Sequence, residues 1–252
     1  LISNGIEQPR QGIAMAAKQS AVPFSTALAG LAVPILGSSV GWEGTFLILA
    51  TLAFPAWLLT PNIAVTKSGT FPSRRDMWSY RPLRIASIAG AFSAAAVVTM
   101  AGFLTTAAEE AGYSESSAGL ILGIGGLIMI VARLSWGFLA DRFEFDRFKA
   151  VSMLLTFGSA AFVLLAIGTK TSILLGSLIS FGIGWAWPGL LLLGVIEQHP
   201  DDPGAATATL QTSIRVGAMV APLGFGIVVD NSGFELAWVL AFFSTLIGSY
   251  FL

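Results

Sequence analysis

Eight apolar runs, most of them long enough to cross a lipid bilayer, leave this chain few ways to fold. A helix needs about 20 mostly apolar residues to span roughly 30 Å of hydrocarbon. The runs are Ala14–Leu36, Thr45–Leu59, Ile85–Ala107, Ala118–Leu139, Ala150–Ile167, Ile173–Ile196, Ala205–Val229 and Phe234–Leu252. The second is short and needs Trp42 or Pro61 to reach across. All are continuous rather than alternating with period two, which favours helices over a barrel. Composition agrees: 55% of residues are hydrophobic and 11% charged, where a soluble domain carries about 25% charged. Mean hydropathy is +0.79, and one soluble core of this size would need far more charge to cover it. The expected fold class is all-α, a polytopic transmembrane helix bundle.

The same composition removes several function classes. A net charge of −1 suggests no nucleic-acid partner. There is no cysteine, so disulfides and thiolate metal sites are excluded, and His199 alone builds no multi-histidine site. No cofactor is expected. The chain opens at Leu1 with no signal-peptide pattern and reads as a piece of a longer protein.

Charge sorts the connections. One side receives Arg10, then Lys67, Arg74, Arg75, Arg81 and Arg84, then Arg142, Arg147 and Lys149. The other has Lys170 as its only basic residue, beside Glu43, Glu109, Glu110, Glu115, Asp230 and Glu235. Eight alternating crossings reproduce this split. The excess of basic residues in cytoplasmic loops then places both ends inside the cell, in a multi-pass protein of a bacterial inner (plasma) membrane. One turn, with Glu197, His199, Asp201 and Asp202, lacks basic residues, but acidic residues weigh little in that rule. The basic stretch Asn62–Pro82 reads as a linker that also touches anionic headgroups of membrane lipids. The expected organisation is residues 1–61 as the last two helices of one half, 62–84 as a central cytoplasmic linker, and 85–252 as a six-helix half.

An internal repeat supports this division. Gly12–Phe46 resembles Gly204–Trp238 at a constant offset of 192 (204 − 12). Under it Gln19 meets Gln211, Gly41 meets Gly233 and Glu43 meets Glu235. Equivalent crossings are six apart, as in transporters built from parallel six-helix halves. On that plan four crossings precede Leu1, and twelve are expected in all.

The most specific motif is Arg133-Leu-Ser-Trp-Gly-Phe-Leu-Ala-Asp-Arg142, where a helix leaves the membrane. It resembles the Gly-x-x-x-Asp-Arg loop signature of the major facilitator superfamily, in its second-half copy. Gly12-Ile-Ala-Met and Lys18-Gln-Ser resemble the start of that family's fifth helix. Gly41-Trp-Glu-Gly-Thr-Phe46 resembles the start of the sixth, and Gly217 through Gly233 the eleventh and its turn. Two departures stand out. Phe143-Glu-Phe-Asp146 intervenes before Arg147, and the antiporter Gly-Pro signature is blurred to Ala29-Gly30-Leu-Ala-Val-Pro34.

Physical reasoning gives the motif a task. Gly137 admits a close neighbour helix, and Asp141 suits the positive N-terminal end of another helix. The resemblance implies that this helix starts near Gly12, so Gly137, Asp141, Arg142 and Arg133 form a conformational latch. Arg133, two turns before Asp141, pairs with Asp141 or with a lipid phosphate. The candidate substrate contacts are Arg215, Gln211, Gln19, Trp185 and Trp187. Arg215 lies about 18 Å into its run, near the membrane midplane, where a charge must face a cavity or a partner. Gln19 and Gln211 are expected to face the interior, because an amide in lipid lacks partners. Trp185 and Trp187 either pack in the core or line a pocket. Lys18 either snorkels or serves the substrate.

The function this implies is secondary transport of a small solute by alternating access, an organic anion or a drug-like compound. Coupling protons remain open, because no Asp or Glu lies at the centre of any run. A monomer is expected at full length. The alternative is a non-transporting receptor or subunit with the same fold. An enzyme is not expected: Glu109-Glu110 lacks a partnering intramembrane histidine, and His199 falls in a loop.

Overall fold

A computed structural model describes residues 6–7, 10–51, 53–59 and 74–252 of the chain. The central linker therefore lies largely outside the described residues, including Lys67, Gly69, Pro72 and Ser73. So do Leu1 and Pro61. All regular structure among the described residues is helical.

The first crossing comprises α1 (Gln11–Gln19), α2 (Ala21–Ala32) and a π-helical turn, Val33–Gly37. Then come α3 (Ser38–Thr51), α4 (Ala53–Leu59) and the short α5 (Arg74–Ser79). The third, fourth and fifth crossings are single helices: α6 (Arg81–Glu110), α7 (Glu115–Arg142) and α8 (Arg147–Ile167). The sixth is α9 (Lys170–Ile179), a π-helical turn Ser180–Gly184, and α10 (Trp187–Gln198). The last helix is α11 (Pro203–Tyr250).

Polar residues start these helices where the apolar runs begin. Ser114 accepts a hydrogen bond from Ser117 N, and Asp146 from Phe148 N and Lys149 N. Thr169 and Ser172 form a reciprocal capping box, and Asp202 accepts from Ala205 N. Each satisfies donors that a helix N-terminus leaves open.

Among the described residues, six helical stretches are long and apolar enough to span a membrane. The last, with 48 residues, would measure about 72 Å if straight, more than twice the hydrocarbon thickness. It is two crossings, because Gly233 breaks the helix at φ 80, ψ 174. Gly41 breaks α3 in the same way, at φ 70, ψ 178. These glycines are equivalent under the repeat (233 − 41 = 192), and both adopt a conformation that a side chain disfavours. The repeat is thus present in the backbone as well as in the sequence.

The second crossing, expected over Thr45–Leu59, is described in the stretches α3 and α4, with position 52 outside the described residues. It is peripheral, with Trp42, Phe46 and Leu47 exposed. The third crossing begins at Arg81 rather than Ile85, since Pro82 fits the first helical turn, where no N–H is needed.

The third crossing is central and packs along both arms of α11; α8 flanks the same helix. Two buried clusters fill the bundle. One gathers Leu83, Leu155, Trp187 and Leu191, the other Met100, Phe162, Phe181 and Trp238.

The first crossing joins the rest mainly through α7. Small residues make this possible: a Cβ on Gly30 would stand 2.6 Å from Gly119 O, and one on Gly126 2.6 Å from Ala27 N. Between apolar helices in lipid, such close backbone approach supplies the van der Waals contact that hydrophobicity cannot. Gly30→Val should therefore separate the pair and cost about 1–3 kcal/mol, the usual range for overpacking. Gly37→Val, with nothing within 4 Å of its Cβ, is the control. Detergent thermal denaturation should distinguish them; equal midpoints would show that the glycine seam bears no stability.

Candidate functional site

Asp141 sits in the last turn of α7, and its carboxylate reaches the first turn of α1. Oδ1 accepts from Gly12 N at 2.6 Å and Oδ2 from Ile13 N at 2.8 Å. These N–H groups have no partner within their own helix, and Arg10 at its start supplies no side-chain cap. A carboxylate also meets the positive end of the helix dipole. Glycine is required on both sides. A Cβ on Gly12 would lie 2.6 Å from Asp141 Oδ1, and one on Gly137 2.8 Å from Gly12 O.

The other expected latch residues are placed differently. Arg142 is exposed, with no polar partner among the described residues. Arg133 does not pair with Asp141, nor does it reach a lipid-facing surface. It is 4% exposed, and its guanidinium turns into the bundle, donating to Trp185 O at 3.1 Å and to Gln19 O. The reason is geometric: at two turns' distance Asp141 is already committed to α1, while two carbonyls of broken helices lie beside Arg133.

A second contact at the same end had no place in the sequence reading. Arg147 donates to Ala140 O at 2.9 Å and Phe143 O at 3.3 Å, and pairs with Glu197 at 3.4 Å. Its Cζ lies 4.5 Å above the Phe145 ring. Arg147 thereby ties the end of α7 and the start of α8 to the end of α10. The available signal was a basic residue six positions after Asp141 and an acid closing the sixth run.

The candidate substrate residues divide. Trp185 and Trp187 are 3% and 1% exposed. Trp185 packs on Phe181, their rings 5.9 Å apart. Neither tryptophan lines an open wall, because the π-helical turn and Pro188 redirect the helix and fold both indoles into the core. Arg215 is exposed, on a stripe of α11 with Val216, Met219, Leu223 and Ile227. No carboxylate lies within 4.0 Å of it among the described residues. Gln211, one turn earlier on the same helix, and Gln19 are both half-buried; Lys18 is exposed. The first crossing and α11 do not pack extensively, so Gln19 and Arg215 are not gathered into one closed site. A cavity of about 610 Å³ at the Asp141 end is lined by Arg81, Asp146, Arg147 and Glu197, among others, and by none of these candidates. Among the described residues no cluster of His, Asp or Glu suits a metal ion.

This helix-to-helix carboxylate contact, inside a bundle carrying a six-crossing repeat, agrees with the comparison to known families. The Major Facilitator Superfamily model matches residues 2–222. The chain belongs to the major facilitator superfamily. Two curated relatives, both described as uncharacterised MFS-type transporters, come from Mycobacterium tuberculosis strains CDC 1551 / Oshkosh and ATCC 25618 / H37Rv. Each is 27% identical over 254 residues, covering 95% of this chain and 56% of the relative. The chain thus spans little more than half the length of these superfamily relatives. It is an integral multi-pass helical membrane protein of that superfamily.

Proposed function

We propose that this chain forms the larger part of a secondary transporter that moves a small solute by alternating access. The observation that carries this reading is the Asp141 contact. It joins the first crossing to the fourth, which the repeat assigns to opposite halves, through two hydrogen bonds at one end. A contact so local can be made in one state and released in another while each half keeps its own core.

In this reading the Asp141 end is cytoplasmic, as the basic loops require, and the protein sits in a bacterial inner membrane as a monomer. Arg215 is the wall residue that favours an anionic solute, with Gln211 beside it and Gln19 on the facing half. With Trp185 and Trp187 buried, the reading rests on Arg215 rather than on a drug-like substrate held by those rings. No catalytic role is assigned to any residue.

The test is solute flux into vesicles containing the full-length protein. Radiolabelled small mono- and dicarboxylates are offered with and without an imposed pH gradient. Saturable flux of at least one carboxylate supports the reading, and stimulation by the gradient would mark proton coupling. Binding without flux would replace transporter with receptor.

A further inference from the structure

Arg133 is a buried cation without a buried anion. It is 96% removed from solvent (4% exposed), and no carboxylate approaches within 4.0 Å among the described residues. The seam around it, between Gly12, Ala16, Gly137, Ala186 and Gly189, has no room for a water molecule. A guanidinium stays charged at any physiological pH, and among the described residues its hydrogen bonds go to the backbone dipoles of Gln19 and Trp185.

Those dipoles belong to two interrupted helices. The Gln19 carbonyl would ordinarily accept from the N–H four residues on, but residue 23 is proline and has none. The ladder loses that one bond at the junction of α1 and α2, while Ser20 N to Ala16 O and Phe24 N to Ser20 O keep the i to i−4 pattern on either side. Trp185 lies between the π-helical turn and α10; its N–H reaches back five residues to Ser180 O. Arg133 thus spans two helix discontinuities, one in the first crossing and one in the sixth. The planar fork of an arginine can serve both at once; a lysine head offers only a point charge.

We propose that Arg133 is an interhelical pin, a positioning residue that locks the first crossing to the fourth and sixth in the closed state and frees Gln19 when the halves part. The proposal rests on the alternating-access reading. It adds to it that closure at the Asp141 end depends on a membrane-embedded contact as well as on the surface carboxylate. Pro23 is its necessary counterpart, because it leaves the Gln19 carbonyl free for another molecule's, or another helix's, donor.

This chain has no cysteine, so one introduced thiol can report the seam in a full-length background from which any cysteine outside it has been replaced. Ala186→Cys is suitable, since Ala186 borders the seam, is 2% exposed and already carries a Cβ, so that only the sulfur is added. Labelling by a water-soluble maleimide is slow while the seam is shut. Losing a hydrogen bond to a charged donor shifts an equilibrium by about tenfold or more. Arg133→Met should therefore speed labelling about tenfold or more, and Arg133→Lys by several-fold, since about one of its two bonds survives. Pro23→Ala leaves Arg133 untouched but supplies an N–H that competes for Gln19 O, and should speed labelling several-fold by roughly the same logic. If Arg133→Met does not accumulate in the membrane, the other two variants decide. Wild-type labelling rates in Arg133→Lys and Pro23→Ala would overturn the pin. Wild-type flux alongside those rates would leave the transporter reading standing, whereas absent wild-type flux would remove the reading itself.

Discussion

Arg215→Gln should nearly abolish uptake of an anionic solute while the protein stays in the membrane at wild-type amounts. Arg215 stands on an otherwise apolar exposed stripe of α11, and no described carboxylate neutralises it. A charge at that depth costs about 2.5–3.5 kcal/mol or more on insertion. Its equivalent in the first repeat copy is Pro23 (215 − 192), so the fold does not require a cation at this place. A charge that costs energy and serves no shared structural need is best explained by what it attracts. Each hydrogen bond between guanidinium and carboxylate contributes about 1.5–3 kcal/mol. Losing a bidentate pair should raise the half-saturating concentration by about a hundredfold. Arg215→Lys keeps the charge but not the fork and should fall between. Flux of the native solute into vesicles measures all three. Full transport by Arg215→Gln would make the residue structural only.

Asp141→Asn should shift the balance between closed and open forms without unfolding either. The side chain keeps its size, but one oxygen becomes an amide that points a donor at a backbone donor. Two charge-assisted hydrogen bonds, to Gly12 N and Ile13 N, become at most one neutral bond. Loss of the carboxylate's interaction with the helix dipole adds about 0.3–1 kcal/mol. Together these favour opening by about 2–3 kcal/mol, roughly 30- to 150-fold in the open-to-closed ratio. Spin labels at the exposed positions Arg10 and Phe143 bracket the contact. Their separation should be short and narrowly distributed in the wild type, and longer in Asp141→Asn. An unchanged distribution together with unchanged flux would show that Asp141 is not a latch.

The sequence alone determined the environment, the helical class and most of the crossings, because hydrocarbon thickness sets a length that each run must meet by itself. The family resemblance of the motif placed Asp141 near Gly12 or Ile13, where a carboxylate suits an uncapped helix start. The equivalence of Gly41 and Gly233 was legible because a repeat copies local backbone along with local sequence. Tertiary structure alone decided what the buried groups touch. Arg133 serves carbonyls 52 and 114 residues away, and Glu197 meets an arginine 50 residues before it. Trp185 and Trp187 lie in the core because a π-helical turn and a proline rotate the sixth crossing. Periodicity describes one helix at a time. Partners across a bundle depend on rotation and depth of several helices at once, and a carbonyl left open by a proline is visible only where another helix brings a donor to it.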